Sequence, residues 1–430
     1  MRLKTVRVTP FPYIIRTMYR FVLVLLCVAA LHLQADRVRV VIALTEAAST
    51  AKTGILRTAT DVEVWGEGPA FAAEIDRAEL ESLRRDPRVR AISIDEGGVG
   101  ALMESVPLVG GDLVHAQGID GRGATIAILD TGLDAAHRDF AGRIAAEQCF
   151  CDNLDGTGCC PGGDIERSGP GAAADDHDHG THVAGIAAGA GAVAPMGVAP
   201  RANIVAVKVM DAQNRFRSFT QVYRALEWIA DHRLDVDVIN MSLGSSALFD
   251  PSQCDAAAIA LGLQPLIARL RARGVLIAAS TGNDGSPQGM SLPACMQEVL
   301  AVGATFDSAG NHCGVTSGNP DEVACFTNSN PAMDLLAPGS AIYASRRGGG
   351  GVTLSGTSMA APHVAGTILL MKQVGGGSLA ADTIENVLEQ TGTPVTDARN
   401  QLTFPRLNTA AAVSATPRAI PPPRRRSVRR

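Results

Sequence analysis

Apolar and polar positions along this chain fall into distinct regimes. Residues 21–31 form an unbroken apolar run. Residues 37–44 alternate, as a strand with one buried face does. Residues 71–76 read as a second strand, 79–86 as a helix with Leu80 and Leu83 on one face, and 89–95 as a further strand. From Gly123 onward, short runs rich in β-branched residues (125–129, 203–209, 236–240, 275–279, 299–302, 334–336) alternate with segments of helical period (219–232, 256–273, 362–374, 381–391). Buried runs of strand length separated by helices predict a largely parallel, twisted sheet with helices on both faces. The fold class is α/β, preceded by a small α+β unit. No internal repeat is evident.

Composition fits this reading. The chain has 430 residues, 46% of them hydrophobic and 19% charged, with 45 glycines and few aromatics. That is enough apolar material for a well-buried core, packed through small side chains. The net charge of −5 is unevenly spread. Residues 1–35 hold five basic groups and 418–430 hold six arginines, with no acid in either, so the body between carries −16. An acidic body without a basic, aromatic-interleaved patch argues against nucleic acid as a partner.

The two ends are read apart from the fold. A basic stretch (Arg2, Lys4, Arg7, Arg16, Arg20) followed by eleven apolar residues has the pattern of a secretory signal over 1–35, cut after Ala35. The run is too short to span a bilayer, which needs about 20 residues. A secreted or periplasmic protein follows, with no stable membrane span. Residues 416–430, rich in Pro and Arg, read as a disordered tail. Without Cys27, eight cysteines remain, an even number in an exported chain, which points to disulfides. A bond between the neighbours Cys159 and Cys160, or within the close pair Cys149 and Cys151, is geometrically unfavourable. The two pairs are expected to cross-link to each other, with Cys254–Cys295 and Cys313–Cys325 completing the set. Between them, Asp152-Asn153-Leu154-Asp155-Gly156 has the composition of a calcium loop but lacks the bidentate Glu of a full one. It reads as a disulfide-held turn, and a structural calcium is left possible but unassigned.

Chemistry concentrates in five short blocks. The run 125–129 ends at Asp130-Thr131-Gly132, putting a carboxylate at the end of a buried strand, where α/β sheets carry their sites. His179-Gly180-Thr181-His182-Val183-Ala184-Gly185 reads as the opening of a helix. Gly356-Thr357-Ser358-Met359-Ala360-Ala361-Pro362 places a serine at a helix mouth, where unpaired N–H groups and the positive dipole end favour an oxyanion. Such a serine is a weak nucleophile until a neutral imidazole takes its proton. Ser280-Thr281-Gly282-Asn283-Asp284-Gly285 follows one strand, and Asn240-Met241-Ser242-Leu243-Gly244 follows another.

These blocks, in the order Asp, His, Ser, resemble the subtilisin-like serine proteases, the subtilases, over roughly residues 107–415. The resemblance implies that Asp130 orients the imidazole, His179 is the general base and acid, and Ser358 is the nucleophile. It implies Asn283 and the Ser358 N–H as oxyanion donors. Ser242, Leu243 and Gly244 become an edge on which an extended peptide adds a strand. The chemistry needs no cofactor. Residues 36–105 resemble the inhibitory propeptide of the family, and 106–415 its catalytic domain. The implied protein is a monomeric endopeptidase made as a self-processing zymogen, cut between Ala101 and Leu108. Its partners are protein or peptide substrates and its own propeptide as an intramolecular inhibitor. Two other classes fit the sequence less well. A non-catalytic binding protein on a protease scaffold conflicts with the full set of catalytic residue types. A zinc hydrolase built on His177, His179 and His182 leaves the Ser358 and Asn283 blocks unexplained.

Overall fold

Alternation along the central strands sets the architecture. In Thr125–Asp130, Ile126 and Ile128 enter one hydrophobic core, while Ala127 and Leu129 enter another. Leu276–Ser280 repeats the pattern, with Leu276 and Ala278 on the first side and Ile277 and Ala279 on the second. Strands buried on both faces need helices on both faces. The computed structural model describes residues 37–44, 56–58, 60–64, 70–94, 102–308, 310–312, 315–376 and 379–418. The signal reading of 1–35, the tail beyond Arg418 and the Cys313–Cys325 pairing lie outside the described residues.

The chain divides into two compact units, Met1–Gly98 and Val99–Arg430. In the first, strands Thr60–Val64, Ala70–Asp76, Arg37–Leu44 and Val89–Ile94 lie side by side in that order, all antiparallel. Val40, Ile42 and Leu44 from one face of the Arg37 strand pack with Phe71, Ala73 and Ile75, and with Leu80 and Leu83 from the helix Arg77–Leu83.

The second unit is built on a ten-stranded sheet. Edge to edge it runs Thr393–Thr396, Thr403–Arg406, Leu335–Pro338, Leu300–Thr305, Leu276–Ser280, Val238–Met241, Thr125–Asp130, Asn203–Lys208, Ile144–Phe150 and Glu166–Ser168. The two outermost strands join antiparallel, and every other neighbouring pair is parallel. Helices His179–Ala188 and Thr357–Gly375 cover one face, and Phe219–His232 and Leu263–Ala272 cover the other. Parallel strands all present their C-terminal ends at one edge. Asp130, Ser242 and the Ser280 turn arrive there together.

Three departures from the sequence pattern have physical causes. The helix expected over 256–273 is two helices, Pro251–Ala260 and Leu263–Ala272, because Gly262 takes a left-handed φ of 70° between them. The first begins with a capping box of Asp250 and Gln253 and with Pro251 in its first turn. The helix expected over 362–374 begins five residues earlier, at Thr357. Ile144–Phe150 went unpredicted because it buries the polar Glu147 and Gln148 inside the sheet.

Among the described residues, three disulfides form. Cys149–Cys160 and Cys151–Cys159 are nested, and Cys254–Cys295 ties helix to loop. No described helix is long and apolar enough to cross a membrane.

Candidate active site

Asp130 closes its strand almost completely buried, with Oδ1 taking the Thr131 N–H at 2.7 Å and the His179 Nδ1 at 2.7 Å. Its Oδ2 is buried without a partner among the described residues. The carboxylate is thus not neutralised by further donors and acts on the ring beside it. His179 opens its helix, and the approach is close because its successor is glycine. A Cβ on Gly180 would sit 2.1 Å from the Gly132 carbonyl oxygen. Instead the Gly180 N–H donates to Thr131 Oγ1 at 2.9 Å.

Asp175 organises this corner, and the sequence reading passed over it. Its carboxylate accepts from the hydroxyls of Thr131 (2.8 Å) and Thr181 (2.6 Å) and from the N–H groups of His177, Asp178 and Thr181. It therefore caps the His179 helix and ties it to the Asp130 turn. Burial opposes the charge on Asp175, but these hydrogen bonds outweigh it and hold the carboxyl below its usual range. The signal was present as an acid four residues before the helix. Buried Lys208 adds a brace, donating to the Thr131 carbonyl and to Asp176, each at 2.7 Å.

Burial also works against an imidazolium at His179. The Asp130 charge and its hydrogen bond prevail, Asp175 adds to them, and the pKa lies above the ordinary histidine value of 6.5. His182, one turn on, differs. It is fully buried, its Nε2 faces the carbonyls of Ile342 and Val352, and burial beside His179 lowers its pKa to about 4. His177 is half-buried, with its ring 6.3 Å from that of His179. The three histidines do not converge on one point, since His179 and His182 point their nitrogens to different partners.

Ser358 lies in the first turn of its helix, half-buried. Pro362 is four residues on and has no N–H to give the Ser358 carbonyl. That carbonyl accepts from Ser242 Oγ instead, at 2.8 Å, and Ser242 Oγ takes the Asn240 amide at 2.9 Å. The Ser358 hydroxyl donates to the Ser242 carbonyl at 3.5 Å and makes no hydrogen bond to His179. The two helices nonetheless pack directly against each other.

Asn283 is fixed from the same helix mouth. Its Oδ1 accepts from the Thr357 N–H at 2.9 Å and the Thr357 hydroxyl at 3.0 Å. A backbone N–H must meet an oxygen, so the amide orientation is determined and Nδ2 is the end left over. Asn283, Ser358, Ser242, Leu243 and Gly244 all line one open groove of about 660 Å³. Of the sequence-predicted residues, Asp130 and His179 are joined to each other, and the remaining five share this groove.

The suspected calcium loop turns its acids toward protein donors. Asp155 accepts from the N–H and hydroxyl of Thr157, and Asp152 from Arg217. Elsewhere, Asp334, Glu385 and Glu389 come close enough to share a cation, although Arg271 already pairs with Glu385.

These features, an αβ sheet with a carboxylate, an imidazole and a serine at its C-terminal edge, match a known family. Residues 121–408 match the model of the subtilase family, and the chain belongs to it. It is 34% identical over 320 residues to a thermostable alkaline protease of Halalkalibacterium halodurans, covering 73% of this chain and 75% of that one. It is 33% identical over 323 residues to subtilisin-like protease 7 of Trichophyton verrucosum, covering 72% and 68%. Among solved structures it is similar to a cold-adapted subtilisin-like serine proteinase, at 29% identity and a TM-score of 0.51, over 67% of this chain and 90% of that one.

Proposed function

We propose that the protein is a secreted endopeptidase that hydrolyses peptide bonds through an acyl-enzyme on Ser358. One observation carries the reading: a buried carboxylate, one oxygen of which has no partner among the described residues, holds His179 at 2.7 Å, while an amide of fixed orientation waits beside Ser358.

Each group has a role its surroundings support. Asp130 accepts the Nδ1–H, which leaves Nε2 as the basic nitrogen. Rotation about the Ser358 side chain exchanges its long bond to Ser242 for one to Nε2, a change ordinary for an unliganded site. His179 takes the hydroxyl proton as Oγ attacks the carbonyl carbon. Asn283 Nδ2 and the Ser358 N–H then receive the oxyanion. The imidazolium returns the proton to the departing amine, and water repeats the sequence on the ester. Ser242, Leu243 and Gly244 hold the substrate as an added strand. No cofactor enters these steps.

The propeptide reading of the first unit belongs to this proposal. Ser105 is fully buried and bonded to His363 Nε2 at 3.0 Å, and Val106 and Val109 lie in the core of the second unit. Self-cleavage within the window between Ala101 and Leu108 keeps this anchor with the enzyme if it falls before Ser105. An organophosphonate should label Ser358 in the wild type and leave Ser358→Ala unlabelled. Ser358→Ala should also accumulate with residues 36–100 attached. Absence of label from a folded, processed wild-type protein overturns the proposal and favours a binding protein on this scaffold.

A further inference from the structure

Cys149 lies near the end of the Ile144–Phe150 strand and Cys151 just beyond it, and the chain returns through Cys159 and Cys160, so two nested bridges close the loop between them. Inside it, the Asn153 N–H donates to the Thr157 carbonyl and the Gly156 N–H to the Asn153 carbonyl. These bonds close the turn on itself. Leu154 is left at the tip with 54% of its surface exposed.

The loop is also anchored from outside. Asp152 Oδ2 accepts from Arg217 at 2.9 Å, and the Asp152 carbonyl accepts from Gln221 Nε2 at 3.1 Å. Gln221 in turn takes the Arg217 and Ser218 N–H groups through Oε1. These contacts fix the loop against the entry to the Phe219–His232 helix. That entry supplies Phe216 and Phe219 to the groove of Ser358, and Leu154 lines the same groove.

We propose that Leu154 is a specificity-determining residue. Presented by the double-bridged loop, it selects a large apolar side chain on the acyl side of the substrate, upstream of the residue that becomes esterified. The inference rests on the peptidase reading above. The side follows from the groove's own lining, which includes Asn283 and Ser242, Leu243 and Gly244 but not His179, the group that serves the leaving amine. The upstream position follows from chain geometry. The residue at the bond sits among Gly282, Asn283 and Ser358, and an extended strand advances about 3.3 Å with each residue beyond it. The apolar preference follows from Leu154, Phe216, Phe219 and Leu243 meeting in one cavity. The two bridges hold Leu154 in place before substrate arrives, so little ordering is left to binding.

The test is kcat/KM of wild type, Leu154→Ala and Cys151→Ser/Cys159→Ser on two substrate sets. One set is short peptides ending two residues upstream of the bond. The other is longer peptides with Leu, Phe or Gly at each further upstream position. Both variants should keep the short-substrate value and lose about 10-fold of the preference for Leu or Phe over Gly at one such position. An unchanged preference in Leu154→Ala overturns the inference and leaves the peptidase reading intact. A wild-type protein that cleaves neither set overturns both.

Discussion

The two faces of the large sheet are covered in opposite ways. On one side, every residue of the His179–Ala188 helix is buried, and the Thr357–Gly375 helix is buried along nearly its whole length. Small residues allow this. A Cβ on Gly185 would stand 2.8 Å from the Ser345 N, and one on Gly366 would stand 2.6 Å from the Val198 Cβ. On the other side, Phe219–His232 buries Gln221 in its first turn and the apolar stripe Val222, Ala225, Leu226, Ile229 and Ala230, and turns charged residues to solvent. The first face encloses its helices and fixes the groups they carry. The second is a one-sided hydrophobic contact whose value is area removed from water. Substitutions on the two faces should therefore separate activity from stability.

The largest effects belong to the enclosed face. Ser358→Ala should cut kcat/KM about 10⁶-fold and Asp130→Asn about 10⁴-fold, magnitudes set by triad enzymes including subtilisin. Neither should shift the melting temperature as a core truncation would. Asp130→Asn carries a second signature. The wild-type acid limb reports loss of neutral imidazole, and because the His179 pKa is raised, activity should fall with decreasing pH from above 6.5. Removing the Asp130 charge takes away the main cause of that rise. The residual activity should then persist to lower pH. An acid limb that stays in place would detach His179 from Asp130.

Asn283→Ala comes next, with a loss of about 10²–10³ in kcat, a figure drawn from subtilisin itself. On the far face, Leu226→Ala should cost about 2–5 kcal/mol in urea unfolding while kcat per folded molecule is unchanged. If Leu226→Ala lowers kcat as well, the two faces are coupled through the sheet and the contrast drawn above fails.

The sequence carried much of this because the site is assembled from strand ends. A buried β-branched run terminating in Asp-Thr-Gly announces both the strand and the carboxylate. The order of such runs places the Asn240 and Ser280 blocks at the same edge. What it withheld was partnership at a distance. Nothing local tells that Asp175 serves Thr131 and Thr181 at once, since the clustered acids of 175–178 read alike until the fold selects one. Nor does the sequence tell that Pro362 frees the Ser358 carbonyl for Ser242, because that exchange spans 116 residues. The strand Ile144–Phe150 escaped for a related reason, as its polar side chains are buried by neighbours remote in sequence.

The smallest predicted effect tests whether the enclosed face has a cost of its own. His363 is fully buried in the Ser358 helix, its nitrogens engaged by the Met359 carbonyl and the Ser105 hydroxyl, and burial lowers its pKa to about 4. The unfolded chain titrates near the ordinary 6.5, so below that pH it binds a proton that the folded state refuses. Stability from this group is complete above pH 6.5 and is lost as the pH falls toward 4, amounting to about 2 kcal/mol at pH 5. His363→Gln, in a Ser358→Ala background to prevent self-digestion, removes the titration while keeping polar contacts. Urea midpoints at pH 7 and pH 5 should lie closer together than in the parent by that amount. Equal pH sensitivity in both proteins would mean that burial in this helix imposes no proton penalty. The acid lability of the enclosed face would then have to come from His182, whose pKa is lowered in the same way.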